Sequence, residues 1–227
     1  MPALTMPALR HEDTVFVLHL GDSENRLAPD WMKTVHSLLD TVVDHPGPAA
    51  LVTTGQGRFF SNGLDLDWLS DHGDQLVHYV ADVQALLARL LTLPVPTVAA
   101  VNGHAFGAGA MLAMAHDFRV MRADRGYFCF PEVDIHIPFT SGMAALIQAK
   151  VPPAAAVASM TTGRRFGGVE ARDLALVDDV ADEAGLVEDA AARVRPLAGK
   201  DRATLGAIKA TMYATAVTAL TTPGSGT

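Results

Sequence analysis

A single cysteine, Cys129, is all that the 227-residue chain carries. An intramolecular disulfide is therefore ruled out, and so is a cysteine cage for zinc or an iron-sulfur cluster. Charge is sparse as well: 17 Lys and Arg stand against 25 Asp and Glu, a formal net charge of −8, and the basic residues form no long cluster. A nucleic-acid binder or a polybasic membrane anchor needs the opposite pattern, so neither partner is expected. Aromatic residues make up only 6% of the chain, yet 49% of it is hydrophobic and 19% charged, which gives ample material for a core and too little charge for disorder. The longest clean apolar run, Ala105 to Ala115, is too short to cross a bilayer. The start MPALTMPALRHEDT has no basic region ahead of its brief apolar stretch, unlike a secretory leader. With its lone thiol, the chain reads as a soluble protein of the reducing cytoplasm.

Several catalytic signatures are missing too. The sequence has no GxSxG elbow, no GxxxxGK[ST] loop and no HExxH pair, and its nine histidines are scattered. The nearest approach to GxGxxG runs from Gly107 to Leu112 and fails at its last position. Hydrolase-triad, metal and nucleotide chemistries lose their support, and no metal is expected.

What is present alternates strand with helix. Thr14–Leu20, Ala49–Thr53, Thr97–Val101 and Phe118–Met121 are short, β-branched and mostly apolar, as strands buried on both faces are. Between them, Trp31, Val35, Leu38 and Val42 form one helical stripe, and Val80, Val83, Leu87, Leu90 and Leu91 a second. Such alternation implies an α/β core over residues 1–141. Beyond it, residues 142–220 read as a helical C-terminal subdomain of the same unit, with helices at Gly142–Lys150, Ala154–Met160, Val169–Leu174, Glu183–Val194 and Arg202–Leu220. The last carries Leu205, Ile208, Met212 and Ala216 on one face that should dock on something. Residues 221–227, rich in Gly, Pro and Ser, read as a loose tail.

Three segments hold the chemistry. In FFSNGLDL (Phe59–Leu66), a glycine precedes what reads as a helix start at Asp65, leaving N–H groups such as that of Leu64 free to meet an anionic oxygen. An ordinary loop capped by Asp65 has the same spacing. In PTVAAVNGHAFGAG (Pro96–Gly109), tiny residues open a helix and allow a ligand close to its first N–H groups, although tight helix packing asks for the same residues. In FPEVDI (Phe130–Ile135), Glu132 sits among aromatic and β-branched neighbours, where its charged form would be disfavoured, unless it is simply exposed at a strand end.

Taken together and in this order, the three segments resemble the enoyl-CoA hydratase/isomerase (crotonase) family. Further on, Thr162, Gly163 and Phe166, then Glu170-Ala171, then Leu176-Val177-Asp178, are similar to its T-G-x-x-F, E-A and L-V-D elements, so the resemblance spans residues 12–220. It implies a crotonase-like spiral of ββα units, a homotrimer, and work on acyl-CoA thioesters in fatty-acid β-oxidation. No separate cofactor is implied, coenzyme A being part of the substrate. By the same resemblance the backbone N–H groups of Leu64 and Ala108 form an oxyanion hole for the thioester carbonyl. Substrate is lined by Ser61, Asn62, Gly63, Leu64, Asp65, Gly107, Ala108 and Met111, and Glu132 is the catalytic carboxylate.

The sequence departs from the family at two positions. Ala108 replaces the central glycine of the usual G-G-G, which matters little because only an N–H is needed. Met111 stands where hydratases carry their other glutamate, and a thioether can neither hold nor ionise a water. An apolar residue here, with Glu132 retained, is similar to the short Δ3-Δ2-enoyl-CoA isomerases, which move a double bond with one base. Two alternatives remain: a hydratase pairing Glu132 with Asp134 or His136, and an acyl-CoA binding protein without catalysis.

Overall fold

The structure, a computed structural model, describes residues 5–222. Its larger sheet has the order β1-β2-β3-β5-β7-β9. β1 (Ala8–Glu12) and β2 (Val15–His19) form an antiparallel hairpin, and β3 (Ala50–Thr54), β5 (Thr97–Val101), β7 (Phe118–Arg122) and β9 (Asp179–Ala181) follow in parallel. A smaller parallel sheet consists of β4 (Phe59–Ser61), β6 (His104–Phe106) and β8 (Phe128–Cys129). The chain thus visits the large sheet, then the small one, then returns through a helix, and it does so three times over β3-β4, β5-β6 and β7-β8. This repetition is the expected spiral of ββα units. The strands of the large sheet alternate their side chains between two cores, as strand geometry requires. Leu51, Ala99 and Val101 enter the main core, whereas Ala50, Val52, Val98 and Ala100 enter the second.

The main core is closed by α1 (Pro29–Asp44), α2 (Leu66–Asp71), α3 (Leu76–Leu91), α4 (Ala108–Met114) and α5 (Ser141–Lys150). Both helical stripes read from the sequence face it: Trp31, Val35 and Val42 are buried on α1, and Val83, Leu87, Leu90 and Leu91 on α3. The C-terminal half continues through α6 (Pro153–Met160), α7 (Gly168–Asp173), α8 (Leu186–Val194), α9 (Arg202–Met212) and α10 (Ala214–Thr221).

That half differs from a purely helical subdomain. Residues 179–181 form β9 and complete the large sheet beside β7, while Leu186, Ala190, Ala191 and Val194 of α8 cover the second core. A strand of three residues has too few positions to show a period of two, and its partner lies some 60 residues earlier in the chain. The long final helix is also broken. Tyr213 leaves helical geometry at φ −106° and ψ 17°, and α9 and α10 diverge there. Ala216 and Leu220 of α10 are buried, but Ile208 and Met212 of α9 are 54% and 60% exposed, so the predicted stripe docks only at its far end. On α9 the buried residue is instead Lys209, whose Nζ donates to Leu93 O at 2.9 Å and Val95 O at 2.8 Å and pairs with Asp117 at 2.6 Å. Of the expected tail, Thr221 belongs to α10, and residues 223–227 lie outside the described residues.

Candidate active site

The three chemistry-bearing segments meet because β4, β6 and β8 are parallel neighbours, so their C-terminal ends release loops side by side. Ligands of parallel sheets collect at that end. From β4 comes the loop Asn62–Asp65, from β6 the turn at Gly107 into α4, and from β8 the stretch Phe130-Pro131-Glu132.

The first loop is held from outside the segment that carries it. Asn62 N donates to Glu24 O at 2.8 Å, and Leu27 N to Gly63 O at 2.9 Å, while the buried Asn25 amide donates to Phe60 O at 3.0 Å. Gly63 adopts φ +83°, and a Cβ there would stand 2.7 Å from Phe106 O and 3.1 Å from Ala108 N, so the loop packs against the start of α4 only because it has a glycine. The N–H groups of Leu64 and Ala108, brought together in this way, have no acceptor among the described residues. Ala108 is the first residue of α4, where helix geometry leaves the N–H unused and the dipole favours negative charge.

Glu132 lies against this pair: a Cβ added to Gly107, the residue before Ala108, would be 3.4 Å from Glu132 Oε1. The side chain is 8% exposed, Oε2 has no hydrogen-bond partner, and no cation pairs with it among the described residues. Burial raises its pKa from 4.5 to about 7, against the one opposing influence of its own backbone. A carboxyl group near neutrality, without a fixed proton partner, is suited to take and return a proton.

Leu64, Ala108 and Glu132 line one cavity of about 390 Å³, together with Asn62, Gly107 and Met111. The remaining predicted substrate contacts serve the frame. Ser61 is fully buried, donating to Asn25 O at 2.7 Å and accepting from Gly63 N at 3.2 Å. Gly63 supplies the turn, and Asp65 caps α2 by accepting from Trp68 N at 3.2 Å while its own N–H donates to the Tyr79 hydroxyl at 2.8 Å. None of these three lines the cavity.

Neither proposed second acid is in position. The chain does not continue as a strand after β8 but turns, with Asp134 N donating to Pro131 O at 2.9 Å and Ile137 N to Glu132 O at 3.1 Å. Asp134 and His136 are both exposed, and neither lines the cavity. Met111, 1% exposed on α4, lines the cavity instead.

Sequence reasoning missed the far wall, made by Ile135, Ile137, Phe139 and Met143, and the polar mouth with Arg26 and Asp67. Arg26 is ion-paired with Asp67, Glu24 and Asp65, so its charge is already neutralised. Ile135 and Ile137 resembled any apolar loop residues, and Arg26 lies far earlier in the chain with no local pattern to mark it. Among the described residues no group of three or more His, Cys, Asp or Glu is arranged to hold a metal.

The family model for enoyl-CoA hydratase/isomerase matches residues 10–224. The chain belongs to that family. Enoyl-CoA delta isomerase 3 of Arabidopsis thaliana is 38% identical over 204 residues, covering 86% of this chain and 86% of its own. Peroxisomal enoyl-CoA delta isomerase 2 of the same plant is 39% identical over 193 residues, covering 80% of each. Among solved structures, the apo enoyl-CoA isomerase of Mycobacterium tuberculosis superposes with a TM-score of 0.87 at 26% identity, covering 95% of this chain and 94% of that one.

Proposed function

We propose that the protein is a Δ3-Δ2-enoyl-CoA isomerase. The reading rests on one observation: Glu132 lies in the cavity beside the free N–H groups of Leu64 and Ala108, while the other acid that lines it, Asp67, is ion-paired with Arg26, and Met111 lines the same cavity from α4. The thioester oxygen of a 3-enoyl-CoA accepts from those two N–H groups. The ionised Glu132 removes a proton from C2, and the electron pair forms a dienolate whose oxygen charge the two donors stabilise. The same carboxyl, now protonated, delivers its proton to C4, the double bond settles between C2 and C3, and Glu132 is regenerated. Hydration would need a water gripped between two acids, and Met111 offers none of that.

Purified protein supplied with 3-enoyl-CoA and 2-enoyl-CoA in parallel tests this. Isomerisation is expected to exceed hydration at least a hundredfold, about 3 kcal/mol in barrier. The reverse ratio would identify a hydratase, and binding without turnover an acyl-CoA carrier.

A homotrimer is part of the same reading. It is supported by the uncovered Ile208 and Met212, which lie along an apolar groove of about 500 Å³ on α9, and the mass in solution by light scattering tests it. A reducing compartment suits the lone thiol, whose pKa burial pushes up to about 11. That condition holds in the cytoplasm expected from composition, and two of the Arabidopsis relatives are named peroxisomal.

A further inference from the structure

Glu132 borders two cavities. Besides the one that holds the free N–H groups, a second, an open groove of about 500 Å³ at the surface, is lined by Glu132, Val133, His136 and Met160. Ile137, Pro138 and Phe139 line both, so these three residues with Glu132 form the wall between them.

The wall is irregular backbone. It begins at His136, a non-glycine residue at φ +57°, and it is tied back by the Ile137 N to Glu132 O bond. Its thickest side chain, Phe139, is half-buried, and its ring meets that of Phe130 edge to face at 6.1 Å between centroids. Both sides of the wall are mainly apolar, and Val133 and Ile137 are 48% and 38% exposed. An alkyl chain is the ligand that such a lining takes, because each methylene moved from water to apolar contact gains roughly a factor of four in affinity.

We propose that Phe139 sets the length of acyl chain that the site accepts, short chains ending in the first cavity and longer ones passing the Ile137–Phe139 wall into the cavity beside Val133 and Met160. This rests on the acyl-CoA reading above and deepens it. A different groove, of about 600 Å³ between α3 and α10, touches the first cavity only through Pro138, so it offers no path alongside the base.

The test is equilibrium binding of saturated hexanoyl-, decanoyl- and hexadecanoyl-CoA to the full chain by titration calorimetry. Saturated thioesters have no double bond to move, so the chain-length series does not depend on turnover. If the isomerase reading fails, that shows separately as 3-enoyl-CoA left unchanged. Phe139→Ala is expected to tighten hexadecanoyl-CoA at least tenfold relative to hexanoyl-CoA. Met160→Trp fills the second cavity from the opposite side and is expected to weaken hexadecanoyl-CoA at least tenfold while sparing hexanoyl-CoA. Leu76→Trp, in the groove between α3 and α10, is expected to leave all three affinities alone. The proposal is overturned if the length profile is the same in wild type, Phe139→Ala and Met160→Trp, or if Leu76→Trp is the variant that shortens it.

Discussion

Replacing Glu132 by Gln should damage catalysis and strengthen the fold, and the two effects have one cause. The carboxylate is buried, has an oxygen without a partner and ionises at about 7 instead of 4.5. Between those two values the unfolded chain has released the proton and the folded chain still holds it, so the unfolded state binds fewer protons and wild-type stability falls as pH rises. Each pH unit in that window removes about 1.4 kcal/mol. The penalty therefore reaches roughly 3 kcal/mol above pH 7 and vanishes below pH 4.5. Glutamine matches the shape of the protonated acid and cannot ionise. Urea unfolding of Glu132→Gln and wild type should thus give equal free energies near pH 4.5 and a variant more stable by about 3 kcal/mol at pH 8.5. Turnover of 3-enoyl-CoA should fall by a factor of roughly 100 to 10,000, the usual worth of a positioned base, with acyl-CoA affinity nearly unchanged. A stability difference that stays constant from pH 4.5 to 8.5 would refute the account of the carboxylate as desolvated and unpaired. Wild-type turnover in the variant would remove Glu132 from the chemistry.

Because Glu132 must be ionised to accept the proton, wild-type kcat/KM should rise with pH along a limb centred near 7, and a flat profile from pH 5 to 8 would exclude it as the base. Ala108→Pro deletes one donor at a first helical position, where proline is readily accommodated, so turnover should drop by about 100- to 1,000-fold with little loss of fold. Ala108→Gly, which keeps the N–H, should stay near wild type, and full activity in the proline variant would place the thioester oxygen elsewhere. Lys209→Met should cost about 3 kcal/mol in urea unfolding, because it strips the pair from Asp117 and frees the Leu93 and Val95 carbonyls; an unchanged midpoint would show that this buried contact is dispensable.

Short, β-branched apolar runs revealed the strands β2, β3, β5 and β7, and helical periodicity revealed the buried faces of α1 and α3, because these signals lie within each element's own stretch of sequence. The segments Phe59–Leu66, Pro96–Gly109 and Phe130–Ile135 were equally legible, since glycines beside a helix start and an acid among apolar neighbours are local features. The one-acid reading proposed for the site likewise starts from a single residue type, Met111. What the sequence did not carry was the meeting of these parts. β4, β6 and β8 are two or three residues long, below the length at which alternation can be read, yet their parallel pairing sets Leu64, Ala108 and Glu132 around one cavity. The clasp of residues 24–27 on the first loop, the completion of the sheet by β9 and the wall at Ile137–Phe139 likewise join positions far apart in the chain. Local chemistry was thus fixed by residue type, whereas the desolvation that lifts Glu132 toward neutrality came only from packing, because burial belongs to the whole fold and not to any stretch of sequence.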